Sequence, residues 1–163
     1  MSAGFEMMTP VTRQFLRDFY EARLSGDPED VAPFLDDNVR WSISGPINPL
    51  QFCGERRGKQ AVLTTLAYGA KMIELTAIDI DEILIDGDRA ATFTRFIGRH
   101  RSSGRTISYN CAQLMRFQNG KLIDFRALID SFDAAEQVLG HAIDVSQTGA
   151  PSDFAASGDF IAL

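Results

Sequence analysis

The sequence predicts a single α+β domain in which a curved, mostly antiparallel sheet wraps around helices placed early in the chain. Three observations carry this. Helical patterns come first and long β-rich runs come after, an order that segregates helices from an antiparallel sheet instead of alternating them as a parallel sheet requires. The β-rich runs at 72–85, 89–100, 106–117 and 121–130 are joined by short turns, Asp86-Gly87-Asp88, Ser102-Ser103-Gly104 and Asn119-Gly120. The last of these is an Asn-Gly pair, the signature of a two-residue type I′ hairpin, because both residues tolerate positive φ.

The elements follow in order. Thr9-Pro10 is a cap and first-position pair for a helix, and Val11, Phe15 and Phe19 recur every fourth residue with Leu16 and Tyr20 beside them, one wide apolar stripe. Ser25-Gly26 ends that helix. Asp27-Pro28-Glu29-Asp30 opens a short second one, with acidic residues in its first turn and Val31, Phe34 and Leu35 on its apolar side. Residues 39–43, Val-Arg-Trp-Ser-Ile, alternate as a strand does. The Gly- and Pro-containing segment 44–58 reads as a long loop. A third helix runs from Lys59 to about Tyr68 with Val62, Leu63 and Leu66 inward, and a short closing helix covers 133–139. The domain is expected over residues 1–140. The tail 141–163, rich in Gly, Ser, Ala and Pro, carries Phe154, Phe160, Ile161 and Leu163, which suit docking on the domain or on a partner subunit.

With 163 residues the chain is long enough for a sizeable core. The apolar share of 45% and charged share of 23% are those of a soluble globular protein. A net charge of −6 disfavours nucleic acid and anionic membrane as partners, since both select a basic surface. The cluster Arg99-His100-Arg101 with Arg105 reads as a solvated hairpin tip. Cys53 and Cys111 show no CxxC spacing and no disulfide framework, which fits a reduced, cytoplasmic setting. No signal peptide and no apolar stretch of roughly 18 residues is seen. His100 and His141 lack metal-ligand spacing, so no metal site is expected.

Several segments together resemble the NTF2-like superfamily, in its SnoaL-like and ketosteroid-isomerase-like branch. They are Leu24-Ser25-Gly26-Asp27, residues 34–41 entering the first strand, residues 54–62 entering the third helix, and residues 117–123 and 126–130 around the last hairpin. The resemblance covers about residues 9–140. It implies a cone with an internal pocket for a small apolar metabolite, a homodimer formed through the sheet, and, in those members that are enzymes, acid–base chemistry without a cofactor. It does not specify an activity, because one fold hosts many.

Carried over residue by residue, the steroid-isomerase machinery is largely missing. Its strand-one base falls on Ser42, its helix-one Tyr on Phe19 and its buried Asp on Gln113. A lone serine is no base at neutral pH and a phenyl ring donates no hydrogen bond. Tyr20 is one helical step, about 100°, from Phe19 and is expected to turn away. The family's epoxide hydrolases resemble this chain at Arg95 and Asp130, but their second Asp falls on Ile97. The SnoaL-type cyclases share only the late-strand Asp.

The candidate catalytic residues are therefore Asp130 and Arg95. Asp130 reads either as a general acid or base with a pKa raised by an apolar cone, or as the cap of the last helix. Arg95, among β-branched and aromatic neighbours, reads either as a ligand-facing group or as an outer-sheet Arg. Candidate ligand-binding residues are Phe19, Trp41, Ser42, Tyr109, Gln113 and Ile129. Tyr109, Cys111 and Gln113 share one strand face by period two, with Cys111 a small core residue. On the first strand two readings conflict. The isomerase resemblance turns Ser42 into the cone, whereas burial of the apolar face turns Val39, Trp41 and Ile43 inward. The functional expectation is a small-molecule-binding protein, either a cofactor-free isomerase, cyclase or hydrolase, or a non-catalytic carrier. A mainly structural domain is a third possibility on the same fold.

Overall fold

The computed structural model describes residues 10–46 and 48–144, so Thr9 and the apolar tail residues named above lie outside the described residues. Among the described residues four helices and six strands form in the order α1 (Arg13–Leu24), α2 (Pro28–Val31), β1 (Leu35–Ser44), β2 (Gly54–Arg57), α3 (Lys59–Met72), β3 (Ile73–Asp86), β4 (Arg89–His100), β5 (Thr106–Gln118), β6 (Lys121–Ile129) and α4 (Ser131–Leu139), with a 3-10 turn at Ala32–Phe34. The strands make one curved, unclosed sheet in the order β2-β1-β6-β5-β4-β3. Only β1 and β6 run parallel; the other neighbours are antiparallel.

Helix α1 begins later than Thr9-Pro10 suggests. Thr12 is the N-cap, its Oγ1 accepting from the Phe15 N–H at 3.0 Å. Val11 stays outside the helix because its N–H donates to the Gly87 carbonyl in the β3–β4 turn. Leu16, Phe19 and Tyr20 are the buried residues of α1. Phe15, expected to be buried, is only partly so. It sits at the border of the core, edge-on to Phe34 at 5.2 Å and Phe117 at 5.4 Å. The second helix forms as its sequence implies, Asp27 Oδ1 accepting from the Glu29 N–H with Pro28 in the first turn.

The segment expected to be a loop contains β2, which pairs Glu55 with Ser42 and Arg56 with Trp41. A four-residue strand with no hydrophobic alternation is fixed by the free edge of β1 and leaves no local signal. Asn119 and Gly120 take φ of 51° and 71°, as the type I′ hairpin between β5 and β6 demands. Gly98 is required for a different reason. A Cβ there would lie 2.7 Å from the Glu74 carbonyl oxygen and 2.7 Å from Ile73 Cγ2, so its absence lets the start of β3 close onto β4.

The concave face carries the core. Trp41 stacks on Phe125 at 3.7 Å with 13° between the planes, and Phe19 packs against Phe125 at 6.4 Å. On β1 the buried positions are Leu35, Val39, Trp41 and Ile43, so the apolar face points inward and Arg40 and Ser42 lie on the convex face. The convex face keeps Leu84, Phe93, Leu114 and Leu128 exposed, at 63, 43, 54 and 64%.

Candidate functional site

Between the C-terminal end of α1, helix α3 and the strands β1, β3 and β5 lies a cavity of about 200 Å³. Trp41, Ile43, Phe52, Leu66 and Tyr109 give it apolar walls, and Arg23 enters from α1. The strand residues reach it because period two puts Trp41 and Ile43 on the concave face of β1. Tyr109 is the middle ring of a stack, 5.6 Å from Phe96 and 6.4 Å from Phe52. At the rim, Arg101 donates from Nε to the Ala70 carbonyl at the end of α3, and Glu74 pairs with Arg99 at 3.3 Å and Arg101 at 3.6 Å.

Arg23 is the residue that sequence reasoning missed. Its guanidinium carbon lies 5.4 Å from the Trp41 ring centre and 5.2 Å from that of Phe96. Among the described residues it has no carboxylate partner and no hydrogen-bond acceptor. Burial lowers its pKa from the usual guanidinium value, with Tyr109 and Tyr20 acting in the opposite direction. An arginine remains protonated in proteins even so. The signal was present: Arg23 follows Phe19 by four residues, so a cation stands on the extension of the apolar stripe.

Two further donors at this cavity lack acceptors. The Trp41 Nε1–H is buried and unpartnered among the described residues. The Tyr109 hydroxyl makes no hydrogen bond to a described residue, and burial pushes its pKa well above the phenol range. The cavity lining therefore holds a cationic donor, Arg23, and a neutral one, Tyr109, on an aromatic wall. Its carboxylates, Asp27 and Glu74, are committed to the α2 cap and to the rim arginines.

The other expected residues are placed as follows. Gln113 is 2% exposed and both ends of its amide are engaged. Its Nε2 donates to Thr94 Oγ1 at 3.2 Å and Cys111 Sγ at 3.3 Å, while its Oε1 accepts from the Tyr20 hydroxyl. Thr92 Oγ1 lies 2.6 Å from that hydroxyl. Tyr20 thus does not turn away as expected: the wide stripe of α1 buries it beside Phe19, and its hydroxyl joins α1 to β4 and β5. Phe19 is 1% exposed in the core, outside the cavity lining. Ile129 is partly buried near Gly45 and is likewise not part of that lining.

Ser42 lies on the convex face, in an open groove of about 500 Å³ with Leu84, Phe93, Leu114 and Leu128. Arg95 is exposed, its Nε donating to Ser108 Oγ at 2.8 Å. Asp130 is exposed at the N-cap of α4 and makes no side-chain cap bond. Asn110 is opposite Arg95 in the β4–β5 ladder, and its carbonyl accepts the Asp130 N–H at 3.1 Å. Arg95 and Asp130 are thereby attached to the same residue of β5, neither of them in the cavity lining. The Cys53 thiol is pushed up to about 11 by burial and that of Cys111 is also raised, so neither is an activated nucleophile. No group of three or more potential metal ligands occurs among the described residues.

With this geometry in view, comparison with known proteins is informative. The profile of the SnoaL-like domain family matches residues 16–125. The chain belongs to the SnoaL-like family. A crystal structure named "Putative Isomerase" from Rhodopseudomonas palustris is 32% identical to this SnoaL-like domain, covering 80% of this chain and 100% of that one, with a TM-score of 0.74. A protein with a ketosteroid-isomerase-like fold from Catenulispora acidiphila, in complex with trimethylamine, shares the fold at 12% identity over 80% of this chain and 95% of that one, TM-score 0.68. An LEH-like epoxide hydrolase of M. tuberculosis does so at 16% identity over 78% and 88%, TM-score 0.63. No curated protein shows significant similarity. No helix among the described residues is long and apolar enough to cross a membrane.

Proposed function

We propose that this SnoaL-like protein binds a small, mainly apolar organic molecule in the cone cavity, and that it acts as a binding or carrier module. The observation that carries this reading is an aromatic-walled cavity in which Arg23 and Tyr109 have no acceptor among the described residues, while the two lining carboxylates are engaged, Asp27 in the α2 cap and Glu74 with Arg99 and Arg101. Proton abstraction needs a base within hydrogen-bond reach of the ligand. A cavity of about 200 Å³ suits a single-ring molecule, since a void of roughly 150 Å³ already accepts benzene.

Trp41 is the one tryptophan of the chain, so its fluorescence reports on the site directly. Titration with neutral single-ring compounds such as benzyl alcohol should change that emission saturably. Ala70→Phe, which adds a ring at the cavity mouth, should weaken binding about tenfold or more. Saturable binding that ignores this substitution would move the ligand elsewhere.

A second reading, cofactor-free acid–base chemistry with Asp130 and Arg95, is favoured by the isomerase name of the R. palustris structure. On that reading Asp130→Asn abolishes turnover while leaving affinity unchanged. On the carrier reading it changes neither stability nor binding by a measurable amount.

A homodimer through the convex face is part of the proposal. Leu84, Phe93, Leu114 and Leu128 form an exposed apolar patch of the kind that soluble monomers seldom keep. Glu82 and Asp86 lie on the β3 side of it, and Arg40 and Arg126, which share Asp124, on the β1–β6 side. A two-fold axis through the patch would set these opposite charges against each other. Light scattering should give a dimer mass at micromolar concentration and a monomer mass for Leu128→Asp; a monomeric wild type would refute the dimer. Buried free cysteines suit a cytoplasmic location.

A further inference from the structure

We propose that the ligand of the cone cavity is a small organic carboxylate, held by the Arg23 guanidinium and the Tyr109 hydroxyl with its apolar body against the aromatic wall. The inference deepens the binding proposal and rests on it. The Arg23 guanidinium carbon lies over two aromatic rings, 5.4 and 5.2 Å from their centres, and such cation–ring contacts leave its N–H donors free to bind an acceptor. No described residue supplies an acceptor there. A planar carboxylate matches that edge with two parallel hydrogen bonds. Tyr109 retains its proton at neutral pH, because burial opposes the phenolate, and so remains a donor to the same anion.

The alternatives fit less well. A cationic ligand would face the Arg23 charge, and of the two lining carboxylates Glu74 is paired with Arg99 and Arg101 while Asp27 Oδ1 caps α2. A neutral hydrocarbon would leave Arg23 and Tyr109 without acceptors. Inorganic phosphate would satisfy the arginine but gain nothing from Trp41, Ile43, Phe52 and Leu66. The cavity volume limits the ligand to about one ring or a short chain, so benzoate is a suitable probe.

Calorimetry and Trp41 fluorescence should show benzoate binding at least about tenfold more tightly than benzamide or inorganic phosphate. Arg23→Met keeps the stem packed on the rings and removes the charge. It should bring benzoate and benzamide to within about twofold of each other while benzamide affinity holds. Tyr109→Phe, which is nearly isosteric, should weaken benzoate several-fold and benzamide less. If benzamide or benzyl alcohol binds as tightly as benzoate, or if the benzoate preference survives Arg23→Met, the carboxylate assignment falls and the cavity remains a binding site for neutral molecules. If no probe of any charge alters the Trp41 signal or releases heat, both the carboxylate assignment and the binding proposal fail.

Discussion

Truncating Phe125 to alanine is expected to cost about 3–5 kcal/mol of folding stability, the largest effect of any single substitution considered for this SnoaL-like domain. Phe125 is fully buried, stacks on Trp41 at 3.7 Å and packs against Phe19 at 6.4 Å. Its removal deletes the transfer energy of a whole ring and leaves a cavity that neither β6 nor α1 can close, because both are tied into the sheet and its concave packing. A domain of this size has about 5–15 kcal/mol in total, so the variant should unfold at much lower urea concentration. The Trp41 emission should also change, since its stacking partner is lost. A loss under about 1.5 kcal/mol would mean that the Trp41–Phe125 stack is not the centre of the core.

The second large effect is expected at Gln113. Gln113→Leu should cost about 1–3 kcal/mol. The leucine fills a similar volume but leaves the Tyr20 hydroxyl with Thr92 Oγ1 as its remaining partner and Thr94 Oγ1 and Cys111 Sγ without the amide donor, in a site where water does not reach. The double variant Tyr20→Phe with Gln113→Leu should cost less than the sum of the single changes, because removing both partners leaves fewer stranded groups. Additive losses in a double-mutant cycle would mean that the two side chains do not interact. If Gln113 instead served a ligand, Gln113→Leu would lower affinity with little effect on stability, which the engaged amide argues against.

Much of the domain's order was legible because it is written locally. Turn chemistry at Asn119-Gly120, the Asp27-Pro28 start of α2 and the long alternating runs of β4, β5 and β6 each depend on neighbours a few residues away. Besides shifts of a few residues at β1, α3 and α4, two departures of element type and boundary have non-local causes. Strand β2 exists because the edge of β1 is free to pair, and α1 starts at Thr12 because Val11 is held by Gly87, far along the chain.

The site was less legible than the fold, and for the same kind of reason. Alternation assigns Trp41 and Ser42 to opposite faces of β1 but cannot say which face is concave. That depends on α1 and β6 packing against the Trp41 side. Period two likewise places Tyr109 and Gln113 together, yet one is left with a free hydroxyl at the cavity and the other is consumed by Tyr20, Thr94 and Cys111. Asp130 and Arg95 ended up sharing Asn110 on the sheet, where no sequence spacing predicts it. The sequence alone determined the order of the helices and longer strands, the hairpin turns and the antiparallel character of the late strands. Only the tertiary structure decided which side chains meet in the cone and that Arg23 lies against its aromatic wall. Secondary structure follows from interactions of short range along the chain, whereas a cavity is lined by residues that come together only after the sheet has curved around the helices.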